Sequence, residues 1–207
     1  MARPLLLQRL IDVHRALDRA GFDHAVGGAL ALAVHVPSPR FTDDIDLNVI
    51  ADAAHPDRLL ASFPVGVEIH VGAAGDLRRD GQTRLFWRAE PRTPVDVFLP
   101  QDPEYHRLVN DRASLADFDG VPIKVLTATD LMVFKMMFDR PKDWVDIQSL
   151  IEAGAGDVDE AGSWIETFLG PDDHRLSRLR DVRAASAGGP PPFVWHDTRD
   201  SPQRPNG

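Results

Sequence analysis

The chain reads as a mixed α/β (α+β) protein, a small mixed sheet flanked by helices with a helical segment at the C-terminal end. Short runs rich in Val, Ile, Leu and Phe alternate with stretches whose apolar residues recur at helical spacing. Asp119-Gly120 lies between the runs 113–118 and 121–126, and this dipeptide signals a two-residue hairpin. Beyond Gly154 only helical patterning remains.

Taken in order, residues 4–20 place Leu6, Leu7, Leu10, Ile11, His14 and Leu17 on one helical face, with Gly21 as the stop and His14 as a packing histidine. His24-Ala25-Val26 reads as a strand, Gly27-Gly28 as a tight turn, and the Ala/Leu-rich stretch after it as a helix. Pro37-Ser38-Pro39 makes a loop before the strand that carries Asp44 and Asp46. A short helix near 56–62 follows, then strands near 66–71, 84–89 and 94–99, and the hairpin. Thr127 with Asp130 resembles a capping box opening a helix that is apolar all round from 131 to 138 except at Lys135. Pro141 suits the first position of the next helix, and Asp157 with Glu160 caps another, before a last helix over 172–185. The expected division is a domain over 1–153, a helical segment over 154–186 packed on it, and a flexible Pro/Gly-rich tail over 187–207.

The chemistry concentrates in three places. In Asp44-Ile45-Asp46 the carboxylates are two apart, so on a strand they share a face at roughly 6.5–7 Å between Cα atoms. Charges that close repel unless a cation lies between them, and hard oxygen donors suit Mg²⁺ or Mn²⁺. The pair alone also suits the solvated face of an edge strand. Upstream, a Gly-Gly turn into a helix lets backbone N–H groups approach a phosphate. Downstream, Asp96 in Val95-Asp96-Val97-Phe98 could complete a carboxylate triad on a neighbouring strand, or lie solvated at a strand end. Lys135, buried by its pattern, needs an anion or must extend its ammonium outward, and a nucleoside triphosphate is a suitable anion. Arg140 and Lys142 add positive charge nearby; Asp143 and Asp146 share a helix face.

These residues resemble the nucleotidyltransferase superfamily, and more closely the abortive-infection AbiEii-type toxins. The resemblance rests on Gly27-Gly28-Ala29-Leu30, on Arg40-Phe41-Thr42-Asp43-Asp44-Ile45-Asp46-Leu47, on Asp130 with Lys135, and on Arg140-Pro141-Lys142-Asp143 with Asp146. Ala29 stands where the family often has a hydroxyl residue, which removes a side-chain contact to phosphate and leaves the backbone one. The resemblance implies a nucleotidyltransferase fold and a metal-dependent transfer of an NMP unit from an NTP to an acceptor hydroxyl. Asp44, Asp46 and Asp96 would be the catalytic and metal-binding residues, with Mg²⁺ or Mn²⁺. Gly27, Gly28, Thr42, Lys135, Arg140, Lys142 and Asp146 would contact the nucleotide or orient it. A cognate antitoxin as partner also follows from it, whereas a tRNA or other RNA end as acceptor rests on the arginine cluster over 78–92.

Composition sets outer bounds. A net charge of −9 over 207 residues argues against neutralising a long stretch of nucleic acid, and zero cysteines exclude disulfides and thiolate chemistry. No apolar run is long enough to cross a membrane, and the expectation is a cytoplasmic protein. Residues 78–92 carry Arg78, Arg79, Arg84, Arg88 and Arg92 around Phe86 and Trp87, which suits phosphates and unstacked bases, or else a solvated hairpin with two buried rings. Two further readings stay open: the same enzyme acting on an aminoglycoside-like antibiotic or a partner protein, and a catalytically silent module of this fold that binds a partner.

Overall fold

The computed structural model of the protein describes residues 4–187. The chain runs α1 (Leu5–Arg19), β1 (His24–Val26), α2 (Gly28–His35), β2 (Ile45–Val49), α3 (Asp57–Ser62), β3 (Val67–Glu68), α4 (Ala73–Asp80), β4 (Gln82–Trp87) and β5 (Pro94–Phe98). It continues through α5 (Pro103–Arg112), β6 (Ser114–Asp117), β7 (Pro122–Val125), α6 (Ala128–Phe138), α7 (Pro141–Glu152), α8 (Val158–Leu169) and α9 (His174–Ala187). The tail expected from 187 onward lies, apart from Ala187, outside the described residues. No described helix is long and apolar enough to cross a membrane.

The strands form one mixed sheet in the order β3-β4-β5-β2-β1-β7-β6. β2 lies at its centre, parallel to β5 and antiparallel to β1. Along β2 buried and half-buried positions alternate, so Ile45, Leu47 and Val49 enter the core while Asp46 and Asn48 face the other way. β5 repeats the pattern, with Val95 and Val97 fully buried.

α1 buries Leu10, Ile11 and Leu17 as its spacing predicts, and Val13 with them. Its Arg9 is also buried, because the guanidinium reaches the β4–β5 connection and donates to Thr93 Oγ1 at 2.6 Å and to the Ala89 carbonyl at 2.8 Å. His14 Nδ1 and His24 Nε2 lie 2.9 Å apart, joining α1 to β1, so His14 has the packing role its position suggests.

Two helices depart from the sequence expectation. α4 buries only Ala73 and Leu77, a pattern too thin to stand out, and it carries Arg78 and Arg79 out of the expected hairpin. α5 had a legible start, since Asp102 caps it through the Tyr105 N–H and Pro103 occupies its first turn. The strand expected over 66–71 shortens to Val67–Glu68.

The C-terminal helices pack on α6 and α7, and Ala161, Ile165 and Leu179 join the main core. Asp157 caps α8 by accepting from the Asp159 and Glu160 N–H groups. A buried polar cluster ties α5, α6 and α8 together. Asp130, with no exposed surface, accepts from Tyr105 Oη at 3.0 Å, Thr127 Oγ1 at 2.5 Å and Arg112 Nε at 2.7 Å, and Arg112 also bonds Glu160. Removing Asp130 takes the acceptor from the Tyr105 and Thr127 hydroxyls and leaves Arg112 with Glu160 alone. Asp130→Ala is therefore expected to cost about 3–5 kcal/mol of unfolding free energy by urea titration; a loss under 1 kcal/mol would show that the cluster is not cooperative.

Candidate active site

The register of three strands assembles the site. Asp46 on β2 is paired with Asp96 on β5, and Asp96 in turn with Arg84 on β4. One pleat further, Asn48, Phe98 and Gln82 make a second row. Both rows lie on the sheet face opposite the buried aliphatic one. Asp44 precedes β2, half-buried, with its N–H donated to Thr42 Oγ1 at 3.1 Å. Thr42 thus shapes the approach to β2 through its hydroxyl, while Asp43 is exposed.

Asp46 is the electrostatic centre of the site. Burial, then the negative charges of Asp96 and Asp44, push its carboxyl up from 3.8 to about 6; Lys135 and Lys142 act in the opposite direction. A carboxylate held against two like charges is a group that a cation would relieve.

The Gly-Gly turn is shaped around this carboxylate. Gly27 donates its N–H to the Asp46 carbonyl at 2.9 Å, fastening β1 to β2. Gly28 has φ +55°, and a Cβ there would fall 1.8 Å from Asp46 Oδ2. α2 begins at Gly28 with no side-chain cap, so its first N–H groups are left for water or a ligand beside the site.

Lys135 is buried, as its pattern predicts. Its ammonium, on a side chain 4% exposed, donates to Asp146 Oδ2 at 2.5 Å and lies 3.9 Å from Asp143 Oδ1. The anion that a buried Lys requires is supplied from within the protein. Asp146 also accepts from Arg40 Nε at 3.0 Å, and Asp143 is gripped by Arg140 at 2.6 and 3.1 Å. Lys135, Asp146, Arg40, Asp143 and Arg140 thus form one chain of charges linking α6 and α7 to the segment before β2. Lys142, by contrast, is exposed and has no ion-pair partner among the described residues, yet its charge is felt at Asp46.

Most arginines of the 78–92 cluster are likewise paired with carboxylates. Arg78 pairs with Asp57, Arg79 with Asp76 and Asp80, Arg84 with Asp96, and Arg92 with Glu68 while lying over the Phe86 ring. Only Arg88, just past β4, keeps a guanidinium without a partner among the described residues.

The donor set fits a hard divalent cation in kind and in charge, since all three groups are carboxylates crowded by one another. As they stand, no three His, Cys, Asp or Glu side chains among the described residues are grouped closely enough to hold an ion, and both oxygens of Asp96 are engaged by Arg84.

Beside Asp46 a cavity of about 340 Å³ opens between the second row and helices α5, α6 and α8. Asn48, Phe98 and Gln82 line it, with Tyr105, Phe134 and Phe138 facing them, and the Phe98 and Phe138 rings meet edge to face at 5.5 Å. The Asn48 and Gln82 amides have no hydrogen-bond partner among the described residues. Sequence reasoning missed this row; its signal was the same two-residue alternation that singled out Asp44 and Asp46, carried one pleat further.

The model of the family described as "Nucleotidyl transferase AbiEii toxin, Type IV TA system" matches residues 15–186. Among solved structures, an antigenic nucleotidyltransferase-like protein from Paracoccidioides brasiliensis superposes with a TM-score of 0.53 at 18% identity, covering 88% of this chain and 92% of that one. JHP933 from Helicobacter pylori gives a TM-score of 0.46 at 13% identity, covering 90% of this chain and 92% of its own. No curated protein matches the chain in sequence. With a family match running over most of its length, the chain belongs to the AbiEii family of nucleotidyltransferase toxins.

Proposed function

We infer that the enzyme moves an NMP unit from an NTP to an acceptor hydroxyl with the aid of a divalent cation. The observation that carries this reading is Asp46, pressed between Asp96 and Asp44 and against Gly28 at the open start of α2. Asp44, Asp46 and Asp96 would hold Mg²⁺ or Mn²⁺. That ion, when bound, would offset the negative charge of the triphosphate and of the transition state.

The remaining steps belong to side chains and backbone of this chain. The free N–H groups of Gly28 and the residues after it receive phosphate oxygens, and Lys142 supplies the mobile positive charge that Lys135 cannot. The base enters the cavity, where Phe98 and Phe138 offer ring faces and Asn48 and Gln82 offer unspent amides. The acceptor oxygen attacks the α-phosphorus, its proton passes to a carboxylate of the row, and the bond to pyrophosphate breaks. Arg40, Lys135, Arg140, Asp143 and Asp146 act by position, holding α6 and α7 against the strand that presents Asp46.

An RNA end is the acceptor we favour. It combines a hydroxyl nucleophile with phosphates that Arg88 and Lys142 suit, and the toxin description of the family brings with it a cognate antitoxin as partner. The test is transfer of label from each α-labelled NTP, with Mg²⁺ or Mn²⁺, into RNA, protein and small-molecule fractions, wild type against Asp46→Asn. Label in RNA with wild type only is expected. Label confined to protein or to a small molecule would reject RNA as the acceptor, and no label despite bound NTP and metal in the presence of all three fractions would count against transfer itself.

A further inference from the structure

Arg84 holds its guanidinium on Asp96, one of the carboxylates assigned above to the cation. It faces Asp96 directly across the β4–β5 ladder and grips it with two bonds, Nε to Oδ1 at 2.7 Å and Nη2 to Oδ2 at 2.6 Å. This fork-to-fork contact takes both carboxylate oxygens. The two halves differ in freedom: the Asp96 side chain is 15% exposed, the Arg84 side chain 53%. Asp96 is fixed in the row, whereas the guanidinium lies at the open rim and, among the described residues, is held by Asp96 alone. Its positive charge is also favoured by Asp44 and Asp46, so it sits in the field of the whole carboxylate group.

No other cation at the site touches these carboxylates among the described residues, and Lys142, though felt at Asp46, makes no ion pair there. Lys135 is bound by Asp146, and Arg140 by Asp143. Without substrate, Arg84 is the one positive group touching the catalytic carboxylates among the described residues. A divalent ion entering beside Asp96 meets that charge at contact distance and must displace it.

The geometry points to an exchange. Arg84 is a positioning residue that holds Asp96 until a nucleotide arrives with its cation, then leaves the carboxylate for the triphosphate, whose oxygens match the same fork. Cation and nucleotide binding are thereby coupled through one side chain, and the coupling is reciprocal: each ligand tightens the other by the same factor. The inference rests on the metal-dependent reading given above.

It is tested by Mn²⁺ titration, followed by electron paramagnetic resonance, of wild type, Arg84→Gln, Arg84→Lys and Asp46→Asn, each with and without a non-hydrolysable NTP. Wild type should bind Mn²⁺ weakly alone and tighter with nucleotide. Arg84→Gln should bind it about tenfold tighter alone and lose most of the coupling, with a raised KM for NTP. Arg84→Lys, which keeps the charge and lacks the fork, should restore part of it. Unchanged or weaker Mn²⁺ binding by Arg84→Gln, while Asp46→Asn abolishes it, would overturn the exchange and leave the metal site standing. No Mn²⁺ binding by any of the proteins would overturn both.

Discussion

Asp46→Asn is expected to lower nucleotidyl transfer by about three orders of magnitude or more, the scale on which a charge positioned for the transition state contributes, and at the same time to make the metal-free protein more stable. The first half follows from the role proposed for Asp46, and the second from its environment alone. The folded carboxyl titrates near 6 against an ordinary 3.8, so between those values the folded state binds more protons than the unfolded one. Its ionisation is therefore no burden below 3.8, and stability is lost as pH rises through 6. Above that pH the cost levels off at about two units of pKa, on the order of 3 kcal/mol. Asparagine carries no charge and avoids this cost. Thermal melts without metal should place the variant above wild type at pH 7.5, with the gap closing by pH 4. Mn²⁺ should raise the wild-type melting temperature and leave the variant's unchanged. A variant less stable than wild type at pH 7.5 would mean that Asp46 is not under electrostatic strain.

Gly28→Ala should be nearly as damaging, for a geometric reason. The backbone at φ +55° strains any residue with a Cβ by roughly 1–2 kcal/mol, and here the new atom also falls 1.8 Å from Asp46 Oδ2 and 2.4 Å from its Cγ. The carboxylate must move, and a displacement of ~1 Å at a reacting centre costs on the order of a hundredfold in rate. Gly154→Ala separates the two effects, since its φ is +65° and a Cβ there meets nothing within 4 Å. Both variants should lose comparable stability from strain; only Gly28→Ala should lose transfer activity. Equal activity in the two would show that the turn does not set the position of Asp46.

Much of this protein is readable before folding, wherever the information is local. The spacing of Asp44 and Asp46, the Gly27-Gly28 turn, the Asp119-Gly120 hairpin, the periodicity of α1 and the starts of α6 and α7 at Thr127 and Pro141 are set by residues a few positions apart, and local pattern exposes them directly. Even the second row of the site, Asn48, Phe98 and Gln82, follows from the same alternation once the neighbouring strands are known.

Pairing between distant segments is a different matter. Nothing near Arg84 in the chain says that Asp96 will be its partner, and the arginine run 78–92 looks like a surface for phosphates until every guanidinium but that of Arg88 is seen to meet a carboxylate. Lys135 was legible as a buried cation in need of an anion, but that the anion is Asp146 rather than a nucleotide depends on how α7 lies against α6. Local geometry along a chain is dictated by its own periodicity, so the sequence by itself determined the carboxylate pair, the turn beside it and the family to which they belong. Charges act through space with no regard for order along the chain, so only the tertiary structure decided which cations are spent inside the protein and which remain for a ligand.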